Sequence, residues 1–135
     1  MIRTRLMVAA TALLLAGGGA QAQQAAPAAV PQPDFAKVEI KTTDLGDNVY
    51  MMEGRDPGSV GGNITVAVAK NGIIMVDGQF APLHDKVKAA VANVSGLPIK
   101  YLVNTHYHGD HTGGNEPFTK DGVIVVAQEN VKKRL

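Results

Sequence analysis

His106, His108, Asp110 and His111 fall within one short stretch, Asn104-Thr105-His106-Tyr107-His108-Gly109-Asp110-His111-Thr112-Gly113-Gly114-Asn115. It holds three of the chain's four histidines. In extended backbone, residues i and i+2 point to the same side. His106 and His108 can therefore present two imidazoles to one metal ion. Gly109 lets the chain turn sharply, after which Asp110 and His111 can face a second ion beside the first. Imidazole and carboxylate suit zinc or iron, and a chain without cysteine excludes thiolate sites. A lone histidine is most often a surface or core residue with a satisfied hydrogen bond. Three of them with an aspartate at this spacing read as a ligand set.

The flanks suit such a site. Lys100-Tyr101-Leu102-Val103 reads as a short strand running into the cluster, and Thr112-Gly113-Gly114-Asn115 follows it where bulk would block access. Ligands just beyond the C-terminal end of a strand are where α/β folds place chemistry. On these residues the chain resembles the N-terminal half of metallo-β-lactamase superfamily proteins. The hallmark of that family is His-x-His-x-Asp-His, matched by His106, His108, Asp110 and His111. A second feature is an aspartate ending a buried upstream strand, matched by Asp77 after Ile73-Ile74-Met75-Val76.

The resemblance covers roughly residues 38 to 135. It implies an α/β fold, the N-terminal half of an αβ/βα sandwich, with a mixed sheet and helices on its outer face. It also implies a site for two metal ions, usually zinc, with iron as the other candidate. One ion would take His106, His108 and a third histidine from farther along; the other would take Asp110, His111 and a last histidine. A later carboxylate would bridge them. Asp110 would double as the catalytic group, orienting the nucleophile or passing its proton to the leaving group. Asp77 would orient the metal loop through hydrogen bonds without ligating. The activity so implied is metal-dependent hydrolysis of a small molecule, with β-lactam, lactone, thioester and sulfate- or phosphate-ester substrates all open. Two alternatives stand beside it: an iron-dependent oxidoreductase or sulfur dioxygenase of the same fold, and an inactive, truncated metal-binding remnant.

The chain departs from the family pattern in one respect: no histidine follows His111. Asp121 and Glu129 lie downstream, but neither stands in a context that matches the bridging carboxylate. Catalytic zinc usually takes three protein ligands and a water, and each site here would have two. The expectation is that the sequence stops partway through its gene. The full-length protein would then be the hydrolase, and the 135-residue chain alone would bind zinc weakly and turn over little. Its sheet would also have one apolar face uncovered.

The start of the chain reads as a leader. Arg3 and Arg5 form a positive region, Leu6 to Ala16 an apolar one, and Ala20-Gln21-Ala22 a small-x-small cleavage site. Residues 1–22 are thus expected to be a Sec-type signal peptide of a bacterial periplasmic or secreted protein. The apolar run is well short of the ~20 residues that a spanning helix needs, so no stable membrane anchor is expected after cleavage. Residues 23–37, rich in Ala, Pro and Gln, read as a flexible linker, and residues 38–135 as the metallo-β-lactamase-like domain. The leader carries two of the 13 basic residues and none of the 12 acidic ones, which leaves 11 against 12. That balance gives no support for nucleic-acid or anionic-membrane partners, and oligomeric state stays open.

The elements that must position the ligands can be read in order. Val38–Thr43 and Val49–Met52 read as a hairpin across Gly46-Asp47-Asn48. Gly54–Gly62 reads as a Gly-rich stretch turning at Asp56-Pro57-Gly58, either a flap over the site or a plain connection. Ile64, Val66 and Val68 alternate as a half-buried strand, Asn71-Gly72 turns, and Ile73–Val76 reads as a central strand buried on both faces. Leu83, Val87, Ala90, Val91 and Val94 then form a helical stripe, with Pro82 in its first turn, Gly96 at its C′ position and Pro98 as its stop. Val123–Val126 is another strand, and a helix begins at Gln128. His84 reads as an ordinary surface residue.

Overall fold

The structure, a computed structural model, describes residues 33–135; the expected leader and most of the expected linker lie outside them. Six strands form one mixed sheet in chain order: β1 (Glu39–Gly46), β2 (Val49–Asp56), β3 (Gly58–Ala69), β4 (Gly72–Val76), β5 (Ile99–Asn104) and β6 (Ile124–Ala127). β1 to β4 are antiparallel neighbours. β5 and β6 are added in parallel, and each parallel step needs a crossover. The first is a single 3-10 turn (Ala81–Leu83) followed by α1 (His84–Val94). The second contains α2 (Gly109–Thr112) and α3 (Asn115–Lys120), and α4 (Glu129–Lys132) follows β6. Among the described residues no helix is long and apolar enough to cross a membrane.

The helical stripe falls as its spacing predicts: Leu83, Val87, Ala90 and Val91 are buried and Val94 packs beside them. They cover the sheet face that carries Met52, Ile64, Val66, Ile73, Met75 and Leu102. Pro82 sits in the opening turn. Gly96 does not serve as a left-handed cap; α1 ends at Ser95, extended at φ −159°, whose N–H still reaches Val91 O. Pro98, three residues after Ser95, already forbids further helix.

Strand β4 corrects one expectation. Ile73 and Met75 are fully buried, but Ile74 is 39% exposed. Ile74, Tyr101 and Ile124 lie in register across β4, β5 and β6, on the face away from α1. Ile124 is 57% exposed and Val126 45%. An apolar run therefore marks these strands without both faces being covered.

The Gly-rich stretch is a continuation of the β2–β3 hairpin rather than a loop. Asp56-Pro57-Gly58 turns as expected, and the glycines lie inside the strands. At Gly54 any Cβ would strike the Val60 carbonyl oxygen, so the two strands can close only over glycine. The β1–β2 hairpin turns at Asp47 and Asn48, both at positive φ (51° and 62°), as the two-residue turn that suits strand twist requires.

The chain before β1 packs through Phe35 and Val38, and one side chain holds its main chain. Lys86 Nζ on α1 donates to the carbonyls of Phe35 at 3.0 Å, Ala36 at 2.8 Å and Val38 at 2.6 Å. Replacing Lys86 with methionine keeps the aliphatic stem and removes all three bonds. A cationic donor of this kind contributes about 1.5–3 kcal/mol. Limited proteolysis of Lys86→Met should cut between residues 34 and 38 well before the wild-type protein is cut there. Equal resistance there would show that the three bonds do not hold the segment.

Candidate metal centre

Strand β5 delivers the ligand loop. After Asn104 the backbone bends through Thr105-His106-Tyr107 rather than staying extended as the i, i+2 reading assumes, and His108 (φ −64°, ψ 149°) is the N-cap of α2. The two rings still meet, with His106 Nε2 3.2 Å from His108 Nδ1. Gly109 turns the chain by opening α2, without a left-handed backbone. One helical turn then places the His111 ring 3.9 Å from that of His106, centroid to centroid. His111 Nε2 stands 3.3 Å from Asp110 Oδ2.

Asp77 lies beneath this loop and fixes it. Its carboxylate accepts from the Thr105 N–H at 2.8 Å, the Thr105 hydroxyl at 2.7 Å and His111 Nδ1 at 2.8 Å. It is 4% exposed and sits at φ 64°, a conformation in which aspartate and asparagine are enriched. The backbone adds Asp77 N–H to Val103 O and Gly78 N–H to His111 O, both at 2.8 Å. Asn104 Nδ2 also donates to His111 O at 3.2 Å.

This network assigns the protons. The Thr105 hydroxyl has one hydrogen and gives it to Asp77. At 3.0 Å from His106 Nδ1, its oxygen must therefore accept from that nitrogen. His106 then carries its lone pair on Nε2, facing His108. In the same way His111 Nδ1–H donates to Asp77, and its Nε2 lone pair faces the Asp110 carboxylate. Two acceptors 3.3 Å apart repel unless a proton or a cation lies between them.

The spacing fits a metal. A tetrahedral zinc ion with bonds of 2.0–2.1 Å holds its ligands about 3.3–3.4 Å apart, against the 3.2 Å and 3.3 Å of these two pairs. The four residues expected as ligands thus come together as two adjacent pairs. Among the described residues no group of three or more His, Cys, Asp or Glu is arranged to hold one ion. Each pair is one protein donor short of the usual catalytic set.

Two further residues border the site. Gly62 of β3, in the Gly-rich stretch read as a possible flap, lies flat against His111, where any Cβ would come within 3.0 Å of three ring atoms. Gln79 is fully buried between β3 and the ligand loop. Its partners are far away in the chain, and no local pattern in the sequence marks it.

The remaining histidine and downstream aspartate meet elsewhere. His84 is no free surface residue: its side chain is 13% exposed, edge-on to Phe118, and bonded at 2.9 Å to both Asp85 and Asp121. Lys88 reaches the same Asp121 oxygen at 2.6 Å, so Asp121 clamps α1 to the end of α3. The hydrogen bond from Lys88 above all, with help from His84, holds the Asp121 carboxyl below the ordinary carboxylate range. A carboxyl lowered in the folded state stabilises above its unfolded value and loses that contribution as pH falls through the folded one. The melting-temperature gap between wild type and Asp121→Asn should therefore be open at pH 6 and shrink as pH falls below about 4. A gap that stays constant down to pH 2 would show that the charge on Asp121 is not what clamps the two elements.

Comparison with known proteins places the fold. The profile of the metallo-beta-lactamase superfamily matches residues 57–134, more than half of the chain, and the chain belongs to that superfamily. The fold matches the N-terminal portion of solved metallo-beta-lactamase structures. FIM-1 from Pseudomonas aeruginosa, solved in a mono-zinc form, is similar with a TM-score of 0.64 and 22% identity, over 72% of this chain and 45% of that one. An enzyme from Hirschia baltica gives 0.62 and 22%, over 70% and 46%. One from Pontibacter korlensis gives 0.59 and 23%, over 69% and 45%. The chain thus spans a little under half the length of these structures. No curated protein matches it.

Proposed function

We propose that this chain carries the first half of the metal site of a metal-dependent hydrolase acting on a small molecule. The observation behind this reading is the pair of converging donor sets, spaced as ligands of single ions, with Asp77 orienting a histidine of each. His106 Nε2 and His108 Nδ1 would hold one ion, and Asp110 with His111 Nε2 a second. Bound zinc would supply a Lewis acid and, by lowering the pKa of a coordinated water to about 7, hydroxide at neutral pH. The protein's own part is to present lone pairs in fixed tautomers and to keep Asp110 half-buried at the mouth, where it can orient a nucleophile or take its proton. Because each pair has two donors, each ion would need another from outside these residues.

Zinc fits the mono-zinc forms among the similar structures, and the same donor set would accept iron. We place the protein outside the cytoplasm on the leader read in residues 1–22, and we expect it to have no nucleic-acid partner. The test is a zinc and iron titration of the purified chain followed by calorimetry. Weak binding is expected that disappears in His106→Ala/His108→Ala. No binding of either metal would sink the reading. Preferential retention of iron, with oxygen consumption, would favour the oxidoreductase alternative. Hydrolysis can then be screened across β-lactam, lactone, thioester and phosphate- or sulfate-ester substrates. Silence across that panel in a metal-loaded protein with all its ligands would leave a binding protein.

A further inference from the structure

Gln79 is a fully buried polar side chain with a strained backbone at φ 60°, two residues after Asp77. It belongs to neither ligand pair. Its amide nitrogen donates to Val60 O at 2.9 Å and also to Gly62 O. The main-chain carbonyl of Gln79 accepts from Gly114 N–H at 2.9 Å. Gln79 thus joins three segments: the loop after β4, the middle of β3, and the end of α2. The part of β3 it holds is the part on which His111 rests. At Gly62 a Cβ would strike the His111 ring, and at Gly61 (φ 70°) one would strike the Gln79 amide itself. Both positions are packed without room for a side chain.

We propose that Gln79 is a positioning residue for His111. Its amide clamps Val60–Gly62 into a wall that seats one face of the imidazole, while Asp77 fixes the ring through Nδ1. A buried amide and a positive φ at a non-glycine residue both carry a cost, which fits a residue kept for what it holds. The amide reaches two carbonyl acceptors here, so an apolar side chain of the same volume would remove a buried donor from both. The seating of the ring is a property of the metal-free fold. Only its bearing on metal binding rests on the hydrolase reading.

The test uses long-range proton–nitrogen NMR of the histidine rings in the metal-free 135-residue chain. Wild type is compared with Gln79→Met, which keeps volume and loses the donor, and with Gln79→Asn. Asparagine tolerates the left-handed backbone but is one methylene too short to span both carbonyls. In wild type His111 should show a single Nδ1–H tautomer. In both variants its signals should shift and broaden, and hydrogen exchange across residues 58–62 should quicken about tenfold, as for the loss of one net hydrogen bond. His84, held by Asp121 on another part of the fold, should stay unchanged. Should Gln79→Met fail to fold, Gln79→Asn decides alone. Wild-type His111 signals in a folded variant would overturn the proposal. So would equal disturbance of His84, which would mean a general loosening. Failure of the wild-type chain to bind zinc would count against the hydrolase reading and would leave this result intact.

Discussion

Asp77→Asn should leave the fold standing and disable both ligand pairs at once. Asparagine tolerates the left-handed backbone at this position (φ 64°), and its carbonyl oxygen can still accept from the Thr105 N–H. Its NH2 group would replace the carboxylate oxygen that now takes protons from Thr105 Oγ1 and His111 Nδ1. Both partners must then become acceptors. His111 would move its proton to Nε2, the nitrogen that faces Asp110. The Thr105 hydroxyl, released from Asp77, would turn to His106 Nδ1 and drive that ring's proton to Nε2 as well. Each pair would then offer an N–H where a lone pair is needed. Losing such a partner beneath a metal ligand costs about 10–100-fold in affinity, and here one atom serves two ligands. Zinc titration with ring-nitrogen NMR gives the answer. Wild-type affinity with both tautomers unmoved would show that Asp77 does not set them.

The largest loss of stability should come from Phe118→Ala. Phe118 is among the largest fully buried side chains. It meets His84 edge-on at 4.6 Å and lies close beneath Gly114, where the ligand loop touches the loop after β4. Beside it a crevice of about 300 Å³ already runs between α1 and β5, lined by Val91, Leu97, Ile99 and Val123. Truncation would enlarge that space where rigid backbone on the Gly114 side cannot collapse into it. A buried phenylalanine cut to alanine costs about 3–5 kcal/mol. For a domain of this size that lowers the melting temperature by roughly 10–30 °C. A fall of only a degree or two on thermal unfolding would mean that α3 is not packed as described.

The ligand cluster was legible because it is local. Two histidines at i, i+2, followed by one turn of helix, are kept close by a few residues of chain, and Asp77 only fixes what that closeness has brought together. The helix over Leu83–Val94 and the hairpin at Asp47-Asn48 were legible for the same reason: a stripe and a turn are short-range patterns. Gln79 was not, since the carbonyls it holds are 17 and 19 residues away and a lone glutamine carries no period. The length of β2 and β3 was hidden because Gly54–Gly62 lacks the alternation that marks a strand; its glycines answer to a close approach visible only in three dimensions. His84 was misread because its partner Asp121 lies 37 residues on. Gly96 and Gly109 show the limit in the other direction. Each could have turned left-handed, and neither is required to.

The sheet order β1 to β6 repeats the order of the chain. Each strand, as it leaves the ribosome, finds its neighbour already made. Three hairpins come first, and only the last two pairings wait for a crossover. Closing short loops before long ones keeps the entropic barrier low and folding fast. The same order governs the metal loop. The β3 wall and the Asp77–Gln79 loop are synthesised before His106, so the ligands emerge into a seat that has already been laid down.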